Sequence, residues 1–137
     1  MMRRALLALL FASPAVWAAD GSWTSQSFGG TLTRGQQSLK SRMVQAPSPL
    51  PVGSVATRLA WKITPDGPTP VGFSIKICSS SRCLPLTGLT GDLALPAGYP
   101  PAGPYRFEYY SPVRGALYPP LTMLRNEVTV QYRSGAR

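Results

Sequence analysis

Apolar and polar residues alternate with a period of two in several stretches of the chain, and proline and glycine bound each stretch. In residues 54–64, Val55, Thr57, Leu59, Trp61 and Ile63 fall on one side, with Arg58, Ala60 and Lys62 on the other. Successive side chains of a strand point to opposite faces, so this pattern predicts a half-buried β-strand. Residues 71–78 repeat it, with Val71, Phe73, Ile75 and Ile77 inward and Ser74, Lys76 and Cys78 outward. Residues 105–110 set Tyr105, Phe107 and Tyr109 against Arg106 and Glu108, and residues 126–133 set Val128, Val130 and Tyr132 against Glu127, Thr129, Gln131 and Arg133. Weaker strands are expected at 22–28, 37–44 and 83–87.

Between these lie "QAPSPLPVG" (45–53), "TPDGPTPVG" (64–72), "LPAGYPPAGP" (95–104) and "SPVRGALYPP" (111–120), which read as loops. No intervening segment is long enough and free enough of proline and glycine for an amphipathic helix. The expected fold is therefore all-β: a single-domain antiparallel β-sandwich, immunoglobulin-like or similar, of about seven or eight short strands with one apolar face each. Closure into a small barrel would give the same alternation, and periodicity alone leaves the two open.

Composition adds a compartment. The first residues, MMRRALLALLFASPAVWA, run from two arginines through an apolar stretch to small residues, the order of a secretory signal peptide. The apolar stretch is shorter than the roughly 20 residues that span a bilayer. Cleavage after Ala18 makes 1–18 a leader, 19–133 the domain and 134–137 a frayed tail, and places the protein in the periplasm. Removing Arg3 and Arg4 leaves twelve of the fourteen basic residues against five acids, with no histidine. Such a surplus favours anionic partners: acidic protein faces or an anionic membrane or envelope surface. Export disfavours nucleic acid.

The two cysteines, Cys78 and Cys83, flank "SSSR". A structural zinc site needs four ligands, and two cysteines without histidine fall short. A redox pair has C-x-x-C spacing at a helix start, which this is not. Export allows disulfides to persist, and strand parity turns both residues outward, so the pair reads as a hairpin disulfide.

The acids build no catalytic pair. Asp66 sits in the turn "PDGP", Asp20 near the expected cut and Asp92 in a loop. Glu108 and Glu127 lie on strand exteriors and would meet only if their strands were neighbours; a plainer role is pairing with Arg106, Arg125 or Arg133. Serines without histidine or another base, and no glycine-rich phosphate loop after a strand, point to a non-enzyme without metal or cofactor. Lys40, Arg42, Arg58, Lys62, Lys76, Arg106 and Arg133 all take outward positions. Arg58, Lys62, Lys76, Arg106 and Arg133 form the candidate basic interaction face, provided that their strands share a sheet; the alternative is a solvated surface with snorkelling stems.

The order "GSW", "RLAWKI", "DGPTPVGFSIKICSSSRC", "LTGLTGD", "PYRFEYY" and "RNEVTVQYR" resembles the family of the flagellar protein FlhE, encoded beside components of the flagellar type III export apparatus. The matching segments span most of the chain after the leader. The resemblance implies a periplasmic β-sandwich without enzymatic activity that works in flagellar assembly, limiting proton leak through the export apparatus and keeping secretion orderly. A chaperone-like or envelope- or glycan-binding module is the alternative. It further implies Cys78 and Cys83 as the paired cysteines, Trp23 and Trp61 as core or edge aromatics, flagellar export or basal-body proteins as partners, and a monomer.

Overall fold

The computed structural model describes residues 20–134; the expected leader and residues 135–137 of the expected tail lie outside them. Nine strands follow one another: β1 (Asp20–Ser27), β2 (Gly30–Arg34), β3 (Leu39–Lys40), β4 (Val55–Pro65), β5 (Ser74–Cys78), β6 (Cys83–Leu86), β7 (Thr90–Ala94), β8 (Arg106–Tyr110) and β9 (Ala116–Arg133). All paired strands are antiparallel. One sheet has the order β1-β9-β4-β7, with β2 also paired to β9, and the other has the order β3-β8-β5-β6. Their inner faces share a single apolar cluster, so the molecule is a two-sheet sandwich.

The alternation explains which residues fill that core. Leu59, Val128 and Val130 from the five-stranded sheet, and Ile77, Phe107 and Tyr109 from the other, have no exposed surface. Burying side chains of this size contributes about 1.5–3 kcal/mol each relative to exposure. The rings of Phe107 and Tyr109 stack at 6.4 Å, and Phe73 stacks on Tyr109 at 6.0 Å. Trp23 and Trp61 are core residues, each with its indole N–H donating to a carbonyl, Pro101 O at 2.7 Å and Gly88 O at 2.9 Å.

A polar side chain also crosses the core. Asn126 on β9 is fully buried, and its Oδ1 accepts from the Tyr109 hydroxyl on the opposite sheet. Its Nδ2 donates to Ser27 Oγ at 3.4 Å, and Ser27 Oγ donates to Arg42 O at 3.2 Å. Beside this chain β1 gives way to β2. Ser27 lies opposite Asn126 and Gly30 opposite Met123, while β9 bulges between its partners for Thr64 and Pro65. Gly29 fits the break only without a side chain, since a Cβ there would stand 2.4 Å from Met123 Cβ.

Several expectations change. The stretch 111–120, read as a loop, contains the start of β9, an 18-residue strand rather than a short one. Its prolines are tolerated because the β2–β9 register shifts between Leu32/Leu121 and Arg34/Ala116, which frees Tyr118–Pro120 from regular pairing. Strands β2 and β7 had no apolar alternation to announce them. A bulge between Ala56 and Arg58 turns Ala56 inward and leaves Val55 exposed. Val71 precedes β5 and is 88% exposed. The expected strand at 37–44 shrinks to two residues of β3 and an isolated Val44–Tyr105 bridge.

Three outcomes follow. Replacing Gly29 with alanine forces the β1–β2 break to shift and lowers unfolding free energy by about 1–3 kcal/mol, measured by urea denaturation. Gly67→Ala, where nothing lies within 4 Å of the added Cβ, stays within about 0.5 kcal/mol of the parent. Burial pushes the Tyr109 hydroxyl far above its ordinary value of 10.0, and burial, aided by Tyr99, does the same to Tyr105. The unfolded chain loses these protons at the ordinary value while the folded chain holds them. Their stabilising effect is therefore complete below about pH 10 and is lost as pH rises beyond it. Tyr109→Phe should flatten part of that alkaline fall in urea titrations, and an unchanged alkaline slope would refute the assignment.

Candidate interaction faces

The outward positions of β3, β8, β5 and β6 set four residues in one row, Lys40, Glu108, Lys76 and Pro85, each opposite the next. In the neighbouring row Arg106 lies opposite Cys78, and Cys78 opposite Cys83. Arg106 grips Glu108 along the same strand, Nη2 to Oε2 at 2.8 Å and Nε to Oε2 at 3.0 Å. The Glu108 side chain is 12% exposed. Lys40 and Lys76 flank that carboxylate from both sides and form no ion pair among the described residues. One acid against three cations leaves this face positive.

The cysteines form the expected disulfide, Cα–Cα 4.0 Å apart and directly opposed in register. Ser79 N–H donates to Arg82 O at 2.7 Å, closing the hairpin around Ser80 and Ser81. Cys78 points outward, as parity requires, yet it is fully buried. Cys83 and Arg106 flank it on the adjoining strands, and a Glu108 oxygen lies within 4.8 Å of both sulfurs. Those three groups have the proximity of metal ligands, but sulfurs bonded to each other offer no thiolate.

The five candidate basic residues divide between the sheets. Lys76 and Arg106 belong to the face just described, whereas Arg58, Lys62 and Arg133 lie on β4 and β9 of the five-stranded sheet. There each has an acid beside it. Arg58 Nη2 pairs with Asp92 Oδ1 at 2.9 Å, Arg133 Nε lies 3.7 Å from Asp20 Oδ1, and Lys62 faces Glu127 in register. The Arg58–Asp92 and Arg133–Asp20 pairs are exposed and add at most about 1 kcal/mol each, and with Glu127 opposite Lys62 this face sets an acid beside each of these three cations. Glu108 and Glu127 occupy outer faces of opposite sheets, so they do not converge. Glu108 takes Arg106, two residues along its own strand, as its partner.

Two features carried no clear sequence signal. Arg82, read only as part of the hairpin loop, donates from Nη1 to Ala97 O at 2.7 Å and lies 4.6 Å over the Tyr99 ring. With Trp23 on Pro101 O and the Tyr105 hydroxyl on Pro100 O at 2.6 Å, it fastens the 95–104 loop across one end of the sandwich. The second is an open groove between residues 66–70 and the start of β9, marked in sequence only by the juxtaposition "LYPP".

The family model for "Flagellar protein FlhE" matches residues 29–133. The Escherichia coli (strain K12) protein of that name is 38% identical over 132 residues, 96% of this chain and all of the relative. The Salmonella typhimurium (strain LT2) protein is 37% identical over the same shares, and the Yersinia enterocolitica protein is 28% identical over 84% of this chain and 83% of its own length. A solved structure, "Crystal Structure of FLHE", superposes with a TM-score of 0.77 at 37% identity, covering 85% of this chain and 99% of that one.

Removing both thiols as Cys78→Ser/Cys83→Ser deletes a small covalent loop and should lower unfolding free energy by roughly 2 kcal/mol in the chain-entropy model. Differential scanning calorimetry of the oxidised parent and the variant measures it. A variant that fails to fold at all would overturn the reading of this bond as a local hairpin link.

Proposed function

The chain belongs to the FlhE family of flagellar proteins, and from that premise we propose a periplasmic accessory protein that regulates flagellar type III export by protein–protein contact. Family membership itself places its role in flagellar biology. In the proposed mechanism the protein acts as a monomer, without cofactor or catalysis. It rests against the export apparatus or basal body from the periplasmic side, limits proton leak and keeps secretion in order.

The observation that carries this reading is the positive face of the four-stranded sheet. Lys40 and Lys76 stand on either side of Glu108, whose carboxylate Arg106 already engages, on short strands that hold them in register. A fixed array of cations attracts an acidic protein face or an anionic membrane or envelope surface, and it raises encounter rates in a salt-dependent way. Arg58, Lys62 and Arg133 contribute less, because acids sit beside them.

A second reading, a chaperone-like or envelope- or glycan-binding module, draws on β1. Among the described residues this edge strand of eight residues, DGSWTSQS, pairs only with β9, and it contains neither proline nor lysine. Such an edge can accept an extended strand from a client.

Neutralising the positive face as Lys40→Gln/Lys76→Gln should impair swarming and acidify the cytoplasm of flagellated cells, while stability stays within about 0.5 kcal/mol of the parent. Glutamate is avoided there because it would crowd Glu108. The matched change on the other face, Arg58→Gln/Lys62→Gln, should leave swarming and cytoplasmic pH near the parent values. Equal behaviour of the two variants would overturn the assignment. Normal flagella with impaired surface adhesion in a deletion strain would favour the second reading.

A further inference from the structure

β4 ends its pairing with Pro65 opposite Met123, whereas β9 extends back to Ala116. Ahead of Met123, β9 therefore has no strand on the β4 side. The chain leaving β4 folds back beside it: Asp66 N–H donates to Thr122 O at 2.9 Å, and Asp66 Oδ1 accepts the Thr122 N–H at 3.0 Å. Between this turn and β9 lies an open groove of about 470 Å³ whose walls include Pro68, Pro70, Tyr118, Pro119 and Pro120. That volume falls in the range of roughly 300–1,000 Å³ usual for ligand sites.

The chemistry of the walls selects the occupant. A vacant strand edge ordinarily recruits another strand through backbone hydrogen bonds. Here Pro119 and Pro120 have no N–H to donate, so strand addition is blocked. Recognition must run through side chains. Tyr118 is 89% exposed and presents a whole aromatic face among prolines. Among the described residues Asp66 is the one charged residue lining the groove, in a chain of net charge +9. Its Oδ1 accepts from the Thr122 N–H, and its Oδ2 has no hydrogen-bond partner among the described residues. The groove thus offers apolar rings and acceptors but few donors. The complement is an apolar ring beside a cationic donor, carried on a backbone that does not seek a sheet.

We propose that this groove binds an extended, proline-containing peptide segment of a partner protein, with a proline ring packed on Tyr118 and an adjacent lysine or arginine on Asp66. Polyproline conformation suits such a site because it is pre-formed and uses no internal hydrogen bonds. The proposal deepens the reading of the protein as one that works through protein contact, and it names a second contact distinct from the positive face.

The probe is a synthetic peptide, acetyl-Pro-Pro-Arg-Pro-Pro-amide, with a matched peptide carrying glutamate for arginine, titrated into the isotope-labelled protein and followed by NMR. The expected result is saturable shifts confined to Asp66, Gly67, Thr69, Tyr118 and Leu121. Binding weakens about tenfold or more with Tyr118→Ala, with Asp66→Asn, and with the glutamate peptide. Asp66→Asn keeps an oxygen for the Thr122 N–H, so the turn is retained. Absent shifts, shifts elsewhere, or equal binding of the two peptides would overturn the proposal. So would self-association of the protein that Tyr118→Ala abolishes, since the occupant would then be a second copy. The two readings fail separately. Peptide binding with normal swarming in a Tyr118→Ala strain removes the groove from flagellar function and leaves the site standing. No binding, with impaired swarming in Lys40→Gln/Lys76→Gln, removes the groove and leaves the flagellar reading standing.

Discussion

A primary amide with no access to water sits near the middle of the longest strand, and the two sheets meet around it. Leaving a buried amide unpaired costs about 1–3 kcal/mol, so Asn126 needs partners on the opposite sheet and on β1. Tyr109 supplies the first and Ser27 the second. Apolar contacts alone would tolerate small slides of one sheet over the other. The hydrogen bond from Tyr109 admits one alignment, because its donor and acceptor are fixed on strands with set register. Burial raises the pKa of the Tyr109 hydroxyl above its ordinary value, so the donor keeps its proton at neutral pH.

That alignment has consequences on both outer faces. Fixing Tyr109 inward turns Glu108 and Tyr110 outward on β8, and with them the row Lys40–Glu108–Lys76. Fixing Asn126 inward turns Glu127 outward on β9, opposite Lys62. One buried contact therefore decides which acids neutralise which cations. The Arg106–Glu108 pair is largely covered and sits against the disulfide, so the hairpin stiffens the positive face without taking part in any chemistry. Arg82 extends the same hairpin to the 95–104 loop, joining the covalent staple to the closed end of the core.

Much of this was legible in the chain. β4, β5 and β8 declare themselves through alternation because each has one wet face and one dry face. The disulfide followed from cysteine count, strand parity and the expectation of export. What escaped was non-local. β2 and β7 have few apolar residues, since among the described residues β7 is an edge strand and β2 pairs with β9 alone. Gly91 in β7 is held by its neighbour's indole, Trp61 Cζ2, which lies 2.8 Å from where a Cβ would be. Sequence gives the face of each strand but not its sheet. Arg58 and Lys76 therefore look equivalent along the chain and stand on opposite sides of the molecule. Val55 was misplaced for a smaller reason, a single bulge residue that inverts parity beyond it.

The first half of β9 shows how such blind spots coincide with candidate function. Prolines in a strand argue against pairing, and by local rules "SPVRGALYPP" is a loop. The second half of the segment nevertheless joins the ladder, because β2 pairs with Ala116 and then with Leu121, just past Pro120, and lets Tyr118–Pro120 bulge free. A shorter β9 would have given β4 a matching partner and left no groove; a proline-free one would have left an edge open to any exposed strand. The length of β9, required by its service to three neighbours, and the prolines that guard its surplus together create a surface that rejects strands while displaying an aromatic ring. Selectivity of that kind arises from what the surface cannot do as much as from what it offers.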